Sequence, residues 1–372
     1  MNMRLIVQAV GIVAALGLNA CSQDPGHERL ERVSAAIGAT ADGFGQAGLI
    51  LYVESPRLPM ALAVARPAAG GERFAPDATM RIASNTKTFV AAAALRLVER
   101  GQLDLDAPIS RTLPIHLQNL LAEGDYDVDA ITARMLLQHT SGLADHAQLQ
   151  SYFEQILDDP QRLWSREEQV ALAMSEGEAV GAPGERFAYS DTGYVLIGAI
   201  IETVQGAPLA DSVRALSGMD GLGLEATWWE ALEPEPDGSP ERFPQVAFGL
   251  TLSAISPSVD LYGGGGLVSN LEDLARFHRA AASGALFDDP ALDAALITPS
   301  PQSRPDGEGG YGMGFFIRDY AGETCLEHSG FWGTLAVYCP ATDITVTAAV
   351  TDADQGFRAL GPLVEDVVRA AR

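Results

Sequence analysis

Lysine is nearly absent from this sequence of 372 residues: of its 24 lysine and arginine residues, only Lys87 is a lysine. The arginines are scattered along the chain, and the formal net charge at pH 7 is −25. Binding to nucleic acid requires clustered cations that neutralise phosphates. The composition therefore argues against a nucleic-acid partner, and we interpret the acidic balance as a solvated surface.

Long apolar runs are also few, and the first extends from Leu5 to Leu18. At about 14 residues it is too short to span a bilayer, but it matches the core of a signal peptide. The small residue before Cys21 resembles a bacterial lipobox, which implies cleavage there, lipidation of Cys21 and a periplasmic protein anchored to a membrane. Asn19 is unusual in that motif, so secretion with cleavage nearby is the alternative.

Cysteine is rare as well, and two of the three cysteines lie near the C-terminus. Cys325 and Cys339 flank a predicted hairpin turn, and an exported protein meets an oxidising compartment, where they can pair. Two buried free thiols are an equally good interpretation. Neither thiol lies beside an obvious base, which argues against a cysteine nucleophile.

Patterns that bind metals or phosphates are missing too. The sequence has no H-E-x-x-H motif and no paired-cysteine spacing, so His139 and His146 are not predicted to be metal ligands. The glycines of residues 263–266 lack the Lys-Ser/Thr ending of a phosphate loop, and we predict a tight strand-to-helix turn there. We expect neither a metal nor another cofactor.

Strand and helix patterns follow one another in a simple order. Apolar runs over residues 48–53 and 60–65 predict a β-hairpin, residues 86–99 a helix, and residues 131–204 a mostly helical stretch. The chain then returns to strands, predicted over residues 310–317, 324–328, 334–338 and 344–350, and closes in a helix over residues 360–369. This order suggests a sheet built from both ends of the chain, with separate sheets as the alternative.

The single lysine lies three residues after Ser84. Positions i and i+3 of a helix share a face, so the side chains of Ser84 and Lys87 can reach one cleft. A lysine amine, unlike an arginine, can be depressed toward neutrality and act as a base. The pair by itself is also compatible with chance, and it needs further residues to support it.

Two later motifs supply that support: Tyr189-Ser190-Asp191 and His328-Ser329-Gly330. With Ser84-x-x-Lys87 they give the order S-x-x-K, Y-x-N-like and H-x-G. This pattern resembles the penicillin-binding-protein-like serine hydrolases, the group that includes class C β-lactamases, DD-peptidases and related esterases. The resemblance extends over nearly all of the expected mature chain.

The resemblance implies an α/β plus α fold of the β-lactamase/DD-peptidase type, in which helices flank an antiparallel sheet and a helical domain is inserted. We accordingly expect residues 1–21 to be a lipoprotein-type signal peptide and residues 22–36 a tether. Residues 37–105 and 255–372 are expected to form a discontinuous sheet domain, and residues 106–254 a mainly helical one.

The resemblance also implies a mechanism. Ser84 would attack an ester or amide carbonyl and form an acyl-enzyme, Lys87 would take the hydroxyl proton, and Tyr189 would relay protons. The backbone N–H groups of Ser84 and of Phe331, which follows Gly330, would bind the oxyanion. Taken singly, Tyr189 and the third-motif histidine could instead be buried structural residues.

Two departures from the family pattern bear on the substrate. Asp191 stands where relatives usually have asparagine, and its carboxylate would tend to hold Lys87 protonated. His328 stands where many relatives have lysine, so a substrate carboxylate loses a permanent cation. The sequence therefore predicts a small-molecule ester, amide or peptide as substrate, with neutral esters or amides favoured over β-lactams. A non-catalytic relative that binds cell-wall peptide or a protein is the alternative, and Asp191 favours it.

Overall fold

The computed structural model describes residues 5–8, 24–44, 47–68, 70–304 and 309–372. The α-helices of the described residues are α1 (Pro25–Thr40), α2 (Thr86–Glu99), α3 (Ile115–Glu123), α4 (Ala133–Leu137), α5 (Gln150–Asp158), α6 (Arg166–Glu176), α7 (Asp191–Gln205), α8 (Leu209–Ser217), α9 (Leu271–Ala282), α10 (Pro290–Ile297) and α11 (Ala353–Ala371). The strands are β1 (Leu5–Gln8), β2 (Leu49–Glu54), β3 (Leu62–Arg66), β4 (Met80–Arg81), β5 (Trp228–Trp229), β6 (Val246–Ala247), β7 (Leu250–Thr251), β8 (Leu267–Ser269), β9 (Gly310–Tyr311), β10 (Phe316–Tyr320), β11 (Glu323–Gly330), β12 (Thr334–Cys339) and β13 (Ile344–Val350).

One large sheet draws its strands from both ends of the chain, in the order β1-β3-β2-β13-β12-β11-β10-β9. All neighbours are antiparallel except β1 and β3, which are parallel. Every residue of the central strand β13 is buried, because helices cover both faces of the sheet. The predicted sheet from both chain ends, flanked by helices, is confirmed.

Helix α1 corrects the predicted tether. From Pro25 onward the segment is helical, and it packs on α11 over one face of the sheet. Leu30, Val33 and Ile37 recur at helical spacing, so they form an apolar stripe, and Val33 and Ile37 are buried. The acidic and basic residues between them hide this stripe in the sequence. The remaining boundaries between the expected domains stay predictions.

The structure describes only part of the predicted signal peptide and tether. Strand β1 lies inside the predicted signal peptide, and its cleavage would leave β3 at that edge of the sheet. Cys21 lies outside the described residues. Within the residues that are described, no single helix has the length and apolar composition to cross a membrane; only the bent pair α7 and α8, at 83°, meets these criteria.

The two C-terminal cysteines face each other across β11 and β12. Their Cα atoms are 4.3 Å apart and the structure joins them in a disulfide, so of the two alternatives it shows the paired one. Among the described residues, the one group of possible metal-ligand atoms is Glu323 with these sulfurs. Because both sulfurs are bonded to each other, that group offers no thiolate to a metal.

Helices α2 and α9 cover the other face of the sheet, and α2 contains Lys87 of the first motif. Helix α2 has the bounds predicted from sequence, and the β2–β3 hairpin forms as predicted. The strand predicted over residues 310–317 is instead split into β9 and β10. Gly314, with φ +88°, interrupts it, and a Cβ there would lie 3.1 Å from the Lys87 carbonyl oxygen. The interruption lets this segment pack closely against the first turn of α2.

Candidate active site

Ser84 lies in a 3-10 turn, Ala83–Asn85, between β4 and the start of α2. Ala83 has a φ of +46°, a left-handed conformation that residues other than glycine rarely adopt. Its methyl group is buried, whereas Ser84 is partly exposed. The strained turn thus presents the Ser84 hydroxyl at the N-terminus of a buried helix, a position where the helix dipole stabilises negative charge.

Lys87 is fully buried, and its ammonium group has three hydrogen-bond acceptors. Nζ donates to Ser84 Oγ at 3.0 Å, to the Gly264 carbonyl oxygen at 2.6 Å, and to the Asp191 carboxylate. An ammonium has three donors, so each has an acceptor. Burial by itself would lower the pKa of Lys87, but the neighbouring acidic groups, Asp191 foremost and Asp260 with it, together outweigh burial and the net pKa is raised. Lys87 is therefore a paired ammonium in the free protein.

The glycines of residues 263–266 make room for this arrangement. They precede β8 rather than joining a strand to a helix. A Cβ on Gly264 would lie 2.8 Å from Asp191 Oδ1, and a Cβ on Gly265 would lie 2.0 Å from Asp260 Oδ2. Only residues without a side chain allow the backbone to come this close to two carboxylates. Their contribution to the site, the Gly264 carbonyl, was not predicted from the sequence.

Two further acids surround the ion pair. Asp145 Oδ1 accepts hydrogen bonds from the backbone N–H groups of Ala147 and Asp191 at 3.1 and 3.0 Å. Burial, together with the charge of Asp191, raises the pKa of Asp145 to about 7, and the same causes raise the pKa of Asp260 to about 7. Neither acid belongs to the three motifs, so pattern matching does not find them.

Tyr189 precedes α7 and lies on the wall of the cleft beside Lys87. Lys87 Nζ is 5.1 Å from the centre of its ring. Burial raises the pKa of Tyr189, and the nearby Lys87 ammonium opposes this without reversing it. The side chain is therefore a neutral phenol. Ser84 and Lys87 both lower the pKa of Tyr189 and so lie near its hydroxyl, as a proton relay requires.

His328 is buried at the third motif and is neutral. Nδ1 donates to the Ser329 carbonyl oxygen at 2.8 Å, and Nε2 accepts from the Tyr311 hydroxyl at 3.3 Å. Burial and the Lys87 charge lower its pKa well below the ordinary value. His139 lies nearby, with its ring 4.1 Å from that of Tyr189 and 4.7 Å from that of Tyr311. These rings support the cleft wall and add no charge to it.

The end of β11 approaches the turn that carries Ser84. A Cβ on Gly330 would lie 2.3 Å from the Ile82 carbonyl oxygen and 3.1 Å from Asn85 Nδ2, so only glycine fits. Among the described residues, neither the Ser84 nor the Phe331 backbone N–H is paired with an acceptor. These are the two donors that the sequence predicts for an oxyanion.

The structure therefore brings together Ser84, Lys87, Tyr189 and Asp191, with the third motif beside them. Cys325 and Cys339 belong to the opposite face of the sheet, among the residues that pack on α1 and α11. The disulfide is remote from this chemistry.

Comparison with known proteins agrees with this geometry. The family model described as Beta-lactamase matches residues 57–369. Esterase EstB from Burkholderia gladioli is 30% identical over 308 residues, 71% of this chain and 74% of that protein. Penicillin-binding protein 4* from Bacillus subtilis (strain 168) is 27% identical over 275 residues, 69% of this chain and 56% of that protein.

Solved structures share the whole fold. A D-stereospecific amidohydrolase from Streptomyces sp. has a TM-score of 0.76 and 25% identity, with 92% of this chain and 98% of that chain covered. D-amino acid amidase from Ochrobactrum anthropi SV3 has a TM-score of 0.75 at 22% identity, with the same coverage. With the family match over most of its length, this chain belongs to the beta-lactamase family and is a hydrolase of the β-lactamase and penicillin-binding-protein superfamily.

Proposed function

We propose that the protein is a serine hydrolase that cleaves neutral esters or amides through an acyl-enzyme on Ser84. The observation that carries the proposal is the 3.0 Å hydrogen bond between the buried Lys87 Nζ and the Oγ of the partly exposed Ser84, beside a third motif that holds a neutral histidine. A relative named as an esterase and a neighbour named as an amidohydrolase are consistent with it.

Acylation has to begin from a protonated Lys87, because the raised pKa of its amine keeps it charged in the free protein. We infer that the Ser84 proton passes to Lys87 Nζ while Lys87 passes one proton to the Asp191 carboxylate. Ser84 Oγ then forms its bond to the substrate carbonyl carbon. Lys87 ends this step as an ammonium, and Asp191 ends it as a neutral acid.

The leaving group departs when the carbonyl bond re-forms. The neutral Tyr189 hydroxyl gives its proton to the departing alkoxide or amine, Lys87 reprotonates Tyr189, and Asp191 returns its proton to Lys87. Water then attacks the acyl-enzyme, and its proton follows the same relay back to Ser84 Oγ. Every group recovers its starting protonation state, and the product acid is released.

The developing oxyanion has two donors in this proposal. The N–H groups of Ser84 and Phe331 are unpaired with described acceptors and belong to segments that Gly330 holds in close contact. Preorganised donors of this kind contribute on the order of 10²–10³-fold each to the rate of acyl transfer.

The charge around Ser84 favours uncharged substrates. The nearest cation, Lys87, is already paired with Asp191, and Asp145 and Asp260 add negative charge as the pH rises above about 7. His328 adds none. A substrate carboxylate would thus meet repulsion without a dedicated cation, which places neutral esters and amides ahead of β-lactams.

The test is covalent labelling with a fluorophosphonate, followed by intact mass and turnover of p-nitrophenyl esters, D-amino-acid amides and penicillin. We expect a single adduct on the wild-type protein that Ser84→Ala abolishes, with turnover of esters or amides. The absence of any adduct and any turnover would favour the non-catalytic binder, which the saturated Lys87–Asp191 pair also allows. Fast penicillin turnover with negligible ester cleavage would contradict the substrate preference.

We also propose export and lipid anchoring at Cys21, on the basis of the apolar run and lipobox-like sequence that precede it. Detergent-phase partitioning of the protein expressed in a bacterium tests this. The wild-type protein should enter the detergent phase and Cys21→Ser should not. Equal partitioning of both proteins into the aqueous phase would contradict anchoring.

A further inference from the structure

Three phenylalanine side chains from separate segments meet at the surface beside the cleft. Phe153 belongs to α5, Phe248 lies at the tip of the β6–β7 hairpin, and Phe331 follows β11. Their ring centres are 5.6 Å (Phe153–Phe248), 5.4 Å (Phe248–Phe331) and 6.1 Å (Phe153–Phe331) apart. Phe248 is 49% exposed and Phe331 is 48% exposed. We call these three residues the phenylalanine patch.

The phenylalanine patch is continuous with the proposed catalytic centre. Phe331 supplies its side chain to the patch and its backbone N–H to the proposed oxyanion site. The Phe331 ring also packs edge-on against Trp332, with ring centres 4.9 Å apart. Trp332 and Ala83 belong to one buried apolar cluster, so the patch rests on the same packing that supports the Ser84 turn.

The backbone at Phe248 is strained. Phe248 has a φ of +53° and Gly249 has a φ of +73°, so two successive left-handed residues join β6 to β7. Asparagine, aspartate and glycine are the residues that suit the first position of such a hairpin turn. An aromatic residue there is unfavourable for the backbone and is half exposed. Such strain is typical of functional sites, and stability does not explain this phenylalanine.

We propose that the phenylalanine patch binds a large apolar group of an uncharged substrate, so that the preferred substrates are esters or amides that carry such a group. The inference rests on the proposed hydrolase function and specifies its substrate class. Exposed aromatic rings offer a flat apolar surface, and removing apolar substrate area from water there would stabilise the bound state. The neutral surroundings of His328 are consistent with an uncharged substrate.

The test compares selectivity in the wild-type protein and in Phe248→Asn, since asparagine suits a left-handed turn position and removes the ring. Two ratios of kcat/KM are measured: p-nitrophenyl octanoate over acetate, and benzyl butyrate over methyl butyrate. We expect Phe248→Asn to lower at least one ratio about tenfold, with a Tm no lower than that of the wild-type protein. Phe153→Ala, on a helix, should lower the same ratio.

Ile115→Ala is the matched control, because Ile115 is an apolar residue 68% exposed on α3 and outside the patch. It should keep both wild-type ratios. If Phe248→Asn and Phe153→Ala leave both ratios within twofold of wild type while acetate is hydrolysed, the phenylalanine patch is not a substrate site. If the wild-type protein neither hydrolyses any ester nor forms a fluorophosphonate adduct, the proposed function itself has failed.

Discussion

The surroundings of Lys87 and of His328, which lie beside each other in the site, differ in charge. Around Lys87, the ammonium is paired with Asp191, and burial together with the Asp191 charge raises the pKa values of Asp145 and Asp260 to about 7. Around His328, the imidazole is neutral and is held by a tyrosine hydroxyl and a backbone carbonyl. The site thus concentrates its charge at the nucleophile and keeps the third motif uncharged.

The difference follows from burial and mutual repulsion. Burying a charge without a partner costs several kcal/mol, so a buried cation persists only beside an anion. Lys87 has Asp191, whereas no carboxylate among the described residues lies within hydrogen-bonding distance of His328. The Lys87 charge further disfavours a second cation there. Neither Lys87 nor His328 therefore offers an unpaired cation to a substrate carboxylate, and this links the local electrostatics to the proposed preference for neutral substrates.

Removing the Lys87 ammonium should have the largest effect of the substitutions considered, because it takes away the one cation of the ion pair. Lys87→Met eliminates the proposed proton relay, and we expect kcat/KM for esters to fall by about 10³-fold or more. It also leaves the largely buried carboxylate of Asp191 without its cation, so the free energy of unfolding should fall by about 3 kcal/mol. Steady-state kinetics and urea unfolding measure the two effects.

The double variant Lys87→Met/Asp191→Asn separates the loss of activity from the loss of stability. It should recover most of the stability and none of the activity. Near wild-type ester turnover by either variant would contradict the role of Lys87.

Replacing the Asp191 carboxylate by a neutral amide makes the surroundings of Lys87 resemble those of His328, which have no carboxylate partner. In Asp191→Asn, burial is no longer outweighed by the carboxylate, so the pKa of Lys87 falls relative to wild type. The neutral amine would then be the base, and kcat/KM should rise with pH by about tenfold per pH unit below that pKa. The wild-type protein should show no such dependence on Lys87. Superimposable pH profiles of the two proteins would contradict the relay through Asp191.

Placing a cation at position 328 tests whether the neutral third motif determines the preference for uncharged substrates. His328→Lys should raise kcat/KM for mono-p-nitrophenyl succinate relative to p-nitrophenyl butyrate by about tenfold, equivalent to about 1.4 kcal/mol. The new charge would lie near Lys87, so stability should fall. His328→Gln, which is neutral, serves as the control and should leave the ratio unchanged. An unchanged ratio in a folded His328→Lys protein would show that this residue does not determine charge preference.

Asp145 makes the stability of the protein depend on pH. The pKa of Asp145 is about 7 in the folded protein and near 3.8 when unfolded, so the folded state binds the extra proton between these values. The stability that Asp145 contributes is thus full below about pH 4 and is lost as pH rises toward 7, at up to about 1.4 kcal/mol per pH unit.

Asp145→Asn removes this titration. The difference in unfolding free energy between variant and wild type should therefore shift in favour of the variant as pH rises from about 4 to about 7. The buried histidines titrate in the opposite direction, but they are common to both proteins and cancel in the difference. A difference that is constant with pH would contradict the raised pKa.

Much of this site was predictable because three short motifs fix residue types at fixed spacing. Ser84 and Lys87 lie one helical turn apart, and the Ala- and Leu-rich run after them has no helix breaker, so the helix and its bounds follow from local sequence. Tyr189 and His328 came from the resemblance and its motif order. The structure brings all four into one cleft.

The residues that set the charge were not predictable. Asp145, Asp260 and the Gly264 carbonyl meet Lys87 or Asp191 only through tertiary packing, and isolated acids in an acidic chain give no signal. The predicted tether failed for a different reason. Val33 and Ile37 are two apolar residues in a charged segment, and only the complementary face of α11 makes that sparse stripe sufficient for a packed helix.

Lys87 is a buried ammonium paired with Asp191 in the free protein, and the charge of its amine can be measured directly. Because it is the one lysine of the sequence, labelling with ¹⁵N-lysine gives a single side-chain NMR signal to follow against pH. We predict an ammonium shift in the wild-type protein up to at least about pH 10, the ordinary range of lysine, and a lower titration midpoint in Asp191→Asn. A wild-type signal that titrates to the neutral amine below pH 8 would contradict the account.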